Sequence, residues 1–296
     1  MLEGYLVKAK GGFYFVMLED GTVIRCRARG RLKVGGVALA VGDRVEISPR
    51  RMGDGVVEKV LPRKNSLPRP PVANVDQAVV VVSLREPPLD RYLLHRFIIA
   101  AAKAGLETGI CFNKMDIVLS DAEKLQLAEM KSVFTACGYA VLCTSSVTEA
   151  GLAELREQLK GKISVLAGPS GAGKSTLLNK LKPGLLLKAG SLSPKLERGR
   201  HTTRHVELIR LDKETLVADT PGFQRLDLVR VPPRELASFF PDIMDYGEGC
   251  QFKSCLHHHE PVCAVKDAVI LGKIVPWRYQ LYIDFLEEIE QQEKIY

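Results

Sequence analysis

The sequence predicts a multidomain α/β protein with a small N-terminal β-barrel, a central domain on a mostly parallel sheet, and a small Cys/His-rich C-terminal domain. Three observations carry this. Residues 1–60 alternate with period two between Gly and Asp-Gly turn signals. From residue 77 onward, short apolar runs alternate with helix-length amphipathic stretches. Near the C-terminus, Cys250, Cys255, His257 and Cys263 fall within one 14-residue window.

The totals permit this division. The chain has 296 residues, 46% hydrophobic and 26% charged, ordinary values for a globular protein with at least one large core. No apolar run approaches the ~20 residues of a membrane span. The N-terminal MLEGYLVKAKGG lacks the basic and apolar regions of a secretory signal, so the expected location is the cytoplasm. Seven cysteines in a reducing compartment read as metal ligands and small core residues, not disulfides. The charge is uneven. The first 70 residues hold 14 Lys and Arg against 7 Asp and Glu, an excess equal to the +7 of the whole chain. A basic N-terminal module on a neutral body points to a polyanionic partner.

In the barrel, expected over 1–66, Arg25, Arg27, Arg29 and Arg31 alternate along one run. If extended, all four project from one face, and that concentration favours an RNA contact over a solvated strand face. Residues 62–72, PRKNSLPRPPV, read as a Pro-rich linker. The central domain, 72–222, is expected to run strand 77–84, helix 89–105, strand 107–113, helix 121–137, strand 140–146, helix 149–160, strand 162–168, then a helix. Residues 205–211 and 215–222 read as two strands joined by a short turn. The last domain, 223–296, ends in a helix over 276–294.

Gly168-Pro169-Ser170-Gly171-Ala172-Gly173-Lys174-Ser175 matches the phosphate-binding loop G-x-x-x-x-G-K-[ST] in full, between an apolar strand and a helical pattern. The glycines let backbone N–H groups wrap phosphates, with the helix N-terminus adding a favourable dipole. Lys174 is expected on the β/γ-phosphates, Ser175 on Mg²⁺, and Thr176 beside it. Downstream, Asp219-Thr-Pro-Gly222 ends a strand, where Asp219 suits the Mg²⁺ shell and Gly222 the γ-phosphate. Between them lies GRHTT, with Thr203 preferred over Thr202 as a metal-binding threonine.

The base is read by Asn113-Lys114-Met115-Asp116. A carboxylate such as that of Asp116 accepts two hydrogens from guanine, a pair adenine does not offer. Asn113 would brace the loop, Lys114 would cover the base, and Thr144-Ser145-Ser146 suits the last base-contacting loop. In an unpermuted GTPase this element follows the phosphate loop. Here it precedes it, so the same cycle has been opened between the DxxG and NKxD elements, which needs only an exposed closable junction.

Three thiols and an imidazole suit a closed tetrahedral structural zinc site, with His258 and His259 as rivals of His257. A P-loop kinase or ATPase with an incidental NKMD is the competing enzyme class.

The barrel, the order NKxD, P-loop, DxxG, and the C-x4-C-x-H-x5-C tail together resemble the circularly permuted GTPases of the RsgA (YjeQ/YloQ) family over essentially the whole chain. The resemblance implies an OB-fold, a permuted G domain and a zinc domain. It implies GTP hydrolysis, with release of GDP, stimulated by the small (30S) ribosomal subunit during late maturation. The barrel and zinc domain would contact ribosomal RNA. It further implies that His201 positions the attacking water, because Phe223 stands where Ras-like enzymes carry Gln, with Gln224 one position late. A monomer is expected, with no membrane partner. The alternative role is an RNA-binding adaptor using GTP only as a conformational ligand.

Overall fold

The computed structural model describes residues 1–30, 38–50, 53–68, 71–117, 119–185, 206–219 and 231–295. Five strands form the N-terminal unit: β1 (Leu2–Lys10), β2 (Phe13–Leu18), β3 (Val23–Ala28), β4 (Arg44–Pro49) and β5 (Asp54–Val60). They pair β1-β2-β3-β5-β4 and back to β1, which closes an OB-like barrel; only β3 and β5 run parallel. Alternation along the strands turns Val16, Cys26, Val45, Ile47 and Val57 inward, all fully buried. Burying such side chains stabilises by about 1.5–3 kcal/mol for each of the larger ones.

The segment 62–72 is not an extended linker. It forms a two-stranded ribbon, β6 (Ser66–Pro68) with β7 (Pro71–Ala73), and buries Leu67 and Val72. Arg63 holds the buried Asp43 carboxylate with two hydrogen bonds of 2.6 and 2.9 Å, and the Ala40 N–H donates to the same group at 2.8 Å. Proline content misleads here because proline is tolerated in short edge ribbons.

The central domain runs β8 (Gln77–Ser83), α1 (Arg91–Lys103), β9 (Glu107–Asn113), α2 (Asp121–Ala136), β10 (Ala140–Cys143), α3 (Leu152–Leu159), β11 (Ile163–Ala167), α4 (Lys174–Leu181), β12 (Glu207–Arg210) and β13 (Leu216–Asp219). The sheet order is β10-β9-β8-β11-β13-β12, parallel except for β12. Every residue of β8 is buried. Ala78, Val80 and Val82 pack with Phe97 and Phe134 of α1 and α2, while Val79 and Val81 pack with Leu155 and Leu177 of α3 and α4. A strand buried on both faces reads as a continuous apolar run, which is what VVVV in this stretch is.

The units also pack against one another. Strand β1 adds to the sheet edge at β12, with Lys8 opposite Glu207 and a 2.7 Å ion pair between them. The C-terminal unit has a 3₁₀ helix (Pro233–Phe239), α5 (Pro241–Gly247), α6 (Ala264–Ile270) and α7 (Pro276–Ile295) around Leu236, Phe240, Ile243, Val265, Phe285 and Leu286. Ile99 and Tyr92 of α1 belong to that same core.

Candidate nucleotide site and metal centre

The phosphate loop joins β11 to α4. Gly168, Gly171 and Gly173 have φ of +126°, +83° and +96°, a region that favours glycine. At Gly173 a Cβ would also strike the Asn113 side-chain amide, so the loop and the base-reading strand meet with no room for a methyl group. Lys174 Nζ donates to the Gly168 and Pro169 carbonyls at 2.8 and 2.7 Å, folded back over its own loop. Ser175 and Thr176 lie in the first turn of α4. Parallel pairing of β11 with β13 sets Val165 opposite Ala218, so Asp219 leaves the sheet at the same edge as the phosphate loop. Ser175, in the first turn of α4, is a hydroxyl residue of the type that suits Mg²⁺. Thr203, His201 and Gly222 lie outside the described residues.

Asn113 ends β9, and Lys114, Met115 and Asp116, the other candidate base-reading residues, follow it. Asn113 is fully buried and donates from Nδ2 to the Ala172 carbonyl at 2.9 Å. Its Oδ1 accepts from the Thr144 hydroxyl at 3.0 Å. Lys114 has φ +65°, an unusual conformation for a residue with a side chain, and one found at functional turns. The Met115 N–H donates to the Thr144 carbonyl at 3.1 Å. The Ser145 hydroxyl donates to Asp116 Oδ1 at 2.5 Å and accepts from the Val147 and Thr148 N–H groups. Asp116 itself is exposed. Its carboxylate is thus oriented by a residue of the neighbouring loop and keeps lone pairs for two further donors. Residues distant in the chain, 113–116, 144–145 and 168–175, converge at one edge of the sheet.

Spacing alone misses a brace on this loop. Arg85, two residues beyond β8, grips Glu123 with two 2.6 Å bonds. Glu123 also closes the capping box with Ser120 at the start of α2. These hydrogen bonds pull the Glu123 carboxyl down to about 2. The S-x-x-E signature at 120–123 was the available signal.

Cys250, Cys255, His257 and Cys263 bring four ligand atoms within 4.8 Å of one another. Sγ of Cys263 lies 3.8 Å from Sγ of Cys250 and of Cys255, and Nδ1 of His257 lies 3.5 Å from Sγ of Cys250 and of Cys263. Tetrahedral bonding at Zn–S ≈ 2.3 Å and Zn–N ≈ 2.0–2.1 Å requires edges of about 3.8 and 3.5 Å, so the set fits a zinc ion. His258 turns away, 3.4 Å from Glu287. The loop is seated on α7 by Tyr279, whose hydroxyl donates to the His257 carbonyl at 2.7 Å, and by Tyr282, which donates to the Leu256 carbonyl at 3.0 Å.

On the barrel, Arg25, Arg27 and Arg29 are exposed while Cys26 points inward. The face is less free than the charge count implies. Arg25 makes a bidentate pair with Asp54 at 2.9 Å, Arg29 pairs with Glu58, and Arg25 and Arg27 both cover the Phe13 ring at 5.1 and 4.8 Å. Arg31 lies outside the described residues.

Comparison with known proteins follows the same outline. The profile of the family described as RsgA GTPase matches residues 60–229, and that of the RsgA N-terminal domain matches residues 3–57. A relative from Moorella thermoacetica, named small ribosomal subunit biogenesis GTPase RsgA, is 45% identical over 99% of both chains. One of the same name from Geobacillus thermodenitrificans is 43% identical over the full length of both. Among solved structures, YjeQ from Thermotoga maritima superposes with a TM-score of 0.84 at 38% identity, covering 97% of this chain and 98% of that one. YloQ, described as a circularly permuted GTPase, superposes at 0.82 with 37% identity, covering 99% and 96%.

Proposed function

This chain belongs to the RsgA GTPase family, and from that premise we propose that it binds the small ribosomal subunit and hydrolyses GTP in response to it during late subunit maturation. The observation that carries the reading is the convergence of Asp116, Ser145 and the 168–175 loop at one sheet edge, supplied in permuted order. Residues 1–66 form the RNA-binding barrel, 72–222 the GTPase domain, and 223–296 the zinc domain. The protein works as a cytoplasmic monomer. No helix among the described residues is long and apolar enough to cross a membrane.

Asp116 reads guanine N1 and N2, with Ser145 fixing the carboxylate plane, and Asn113 ties that loop to the phosphate loop. Lys174 exchanges its two carbonyl partners for β/γ-phosphate oxygens when nucleotide enters. Ser175, Thr203 and Asp219 would hold Mg²⁺, which would supply positive charge against that developing on the transferring phosphoryl group. His201 positions the attacking water, and without a Gln there the intrinsic rate is slow until the subunit orders the segment. Cys250, Cys255, His257 and Cys263 would hold one structural zinc in the C-terminal unit. The barrel arginines 25, 27, 29 and 31 contact ribosomal RNA.

The test measures GTP turnover with and without purified small subunits at fixed salt, since phosphate contacts are salt-sensitive. Stimulation of about ten-fold, about 1.4 kcal/mol of barrier, is expected with small subunits and not with large ones. A flat response overturns the partner assignment. Asp116→Asn should lose GTP and gain preference for xanthosine triphosphate; an unchanged nucleotide preference would return the chain to the P-loop ATPases.

A further inference from the structure

Cys111 sits two residues before Asn113 in the middle of β9. It is fully buried among Val79, Val81, Leu155 and Leu166, a setting any small apolar residue would fill. Yet its Sγ lies 3.2 Å from Thr144 Oγ1. The donors in this buried chain can be assigned from one end. The Ala172 carbonyl only accepts, so Nδ2 of Asn113 faces it and Oδ1 faces Thr144. The single hydroxyl hydrogen of Thr144 is therefore committed to Asn113 Oδ1. What remains for Thr144 Oγ1 is to accept, and the Cys111 S–H is the donor placed to serve it. Burial pushes the Cys111 thiol to about 12, so the hydrogen is present at neutral pH.

We propose that Cys111 is a positioning residue of the guanine site, whose S–H heads a hydrogen-bond relay through Thr144 and Asn113 to the Ala172 carbonyl. This rests on reading 113–116 and 168–175 as that site. The relay crosses three segments: the strand carrying the base-reading loop, the loop after β10, and the phosphate loop. Cys111 touches no nucleotide. Its effect passes through Thr144, which also receives the Met115 N–H on its carbonyl. With no donor at position 111, the fully buried Thr144 hydroxyl oxygen keeps no second partner. The Thr144 hydroxyl is then less firmly aimed at Asn113 Oδ1, and the anchor that Asn113 gives the phosphate loop is weakened. Chains of this kind polarise one another, so the loss reaches beyond the one bond.

The experiment uses the full-length chain and N-methylanthraniloyl-GDP as probe, with GTP turnover in parallel. Cys111→Ala should weaken GDP binding by about three- to ten-fold, as expected for a buried oxygen left without its donor. The loss should appear in KM more than in kcat, since the relay orders the ground-state site. Cys111→Ser, almost the same in volume as the alanine variant but with an O–H donor, should bind within about two-fold of the natural chain. In a Thr144→Val background the alanine and serine variants should no longer differ. Equal weakening by alanine and serine would assign the effect to packing and overturn the proposal, as would no weakening by either. If the natural chain bound the GDP probe no better than the ADP analogue, the guanine reading itself would fall, and the proposal with it.

Discussion

At Gly173 two independent constraints meet. Its φ of +96° disfavours any side chain, and a Cβ there would overlap the Asn113 amide. Gly173→Ala should therefore separate the phosphate loop from Asn113, breaking the 2.9 Å bond to Ala172. We expect at least a ten-fold loss of GTP affinity, about 1.4 kcal/mol or more, with secondary structure retained. Titration of a fluorescent GTP analogue, with circular dichroism alongside, measures both; affinity within two-fold of the natural chain would refute the close approach. The glycine pattern and NKMD were legible because each performs a task its own neighbours complete. Cys111 was not, because a lone cysteine in an apolar strand carries no periodic or spacing signal, and its partner Thr144 lies 33 residues away. The arginine run was legible as charge but not as pairing: Asp54 and Glu58 reach Arg25 and Arg29 only once β5 lies beside β3.

Among the elements, the C-terminal helices depend most on something other than themselves. The 3₁₀ helix, α5 and α6 have seven residues each, below the length at which an isolated helix persists. Their sequence periodicity is correspondingly weak, which is why only the final helix could be drawn in advance. The Cys/His set stands between them: Cys250 follows α5, and Cys263 caps α6. Four ligands drawn toward one ion would fix that geometry with a binding free energy of about 10–16 kcal/mol at neutral pH. Removing the ion with a strong chelator, or replacing Cys263 by Ser, should release about one zinc per chain and unfold this unit at a lower temperature than the nucleotide domain. Elemental analysis and a two-wavelength thermal melt, with Trp277 fluorescence reporting the tail, decide the matter. An unchanged melt after complete zinc loss would mean that the tyrosine bonds to residues 256 and 257 suffice.

Across the whole molecule, α1 of the nucleotide domain is held to the C-terminal unit by a buried polar chain that no local pattern announces. His95 of α1 is fully buried; its Nδ1–H donates to the Arg91 carbonyl at 2.8 Å, and its Nε2 accepts from the guanidinium of Arg278 on α7. Arg278 also grips Asp242 of α5 at 2.9–3.1 Å, and its guanidinium lies 4.8 Å from the Phe240 ring and 5.7 Å from that of Phe134. A neutral imidazole is therefore built in, since both ring nitrogens are already committed to partners that exclude a second proton. Burial, then the Arg278 charge, hold the His95 pKa well below its ordinary value. In the unfolded chain this histidine takes a proton near pH 6.5, while in the folded chain it does not. The unfolded state thus binds more protons as pH falls through 6.5, and stability contributed by neutral His95 is intact above that pH and lost below it. The slope reaches about 1.4 kcal/mol per pH unit once the unfolded histidine is protonated. Arg91 is the other charge acting on the ring, and it holds the pKa down in the same direction as Arg278. Thermal melts of the natural chain should therefore fall more steeply between pH 7.5 and 5.5 than those of His95→Gln, which keeps an acceptor for Arg278 but does not titrate. Parallel slopes would show that the histidine is not the group that couples this interface to pH. A steeper natural slope would mark the buried contact between α1 and α7 as the place where the nucleotide domain carries the metal-binding tail, in addition to the chain that joins them.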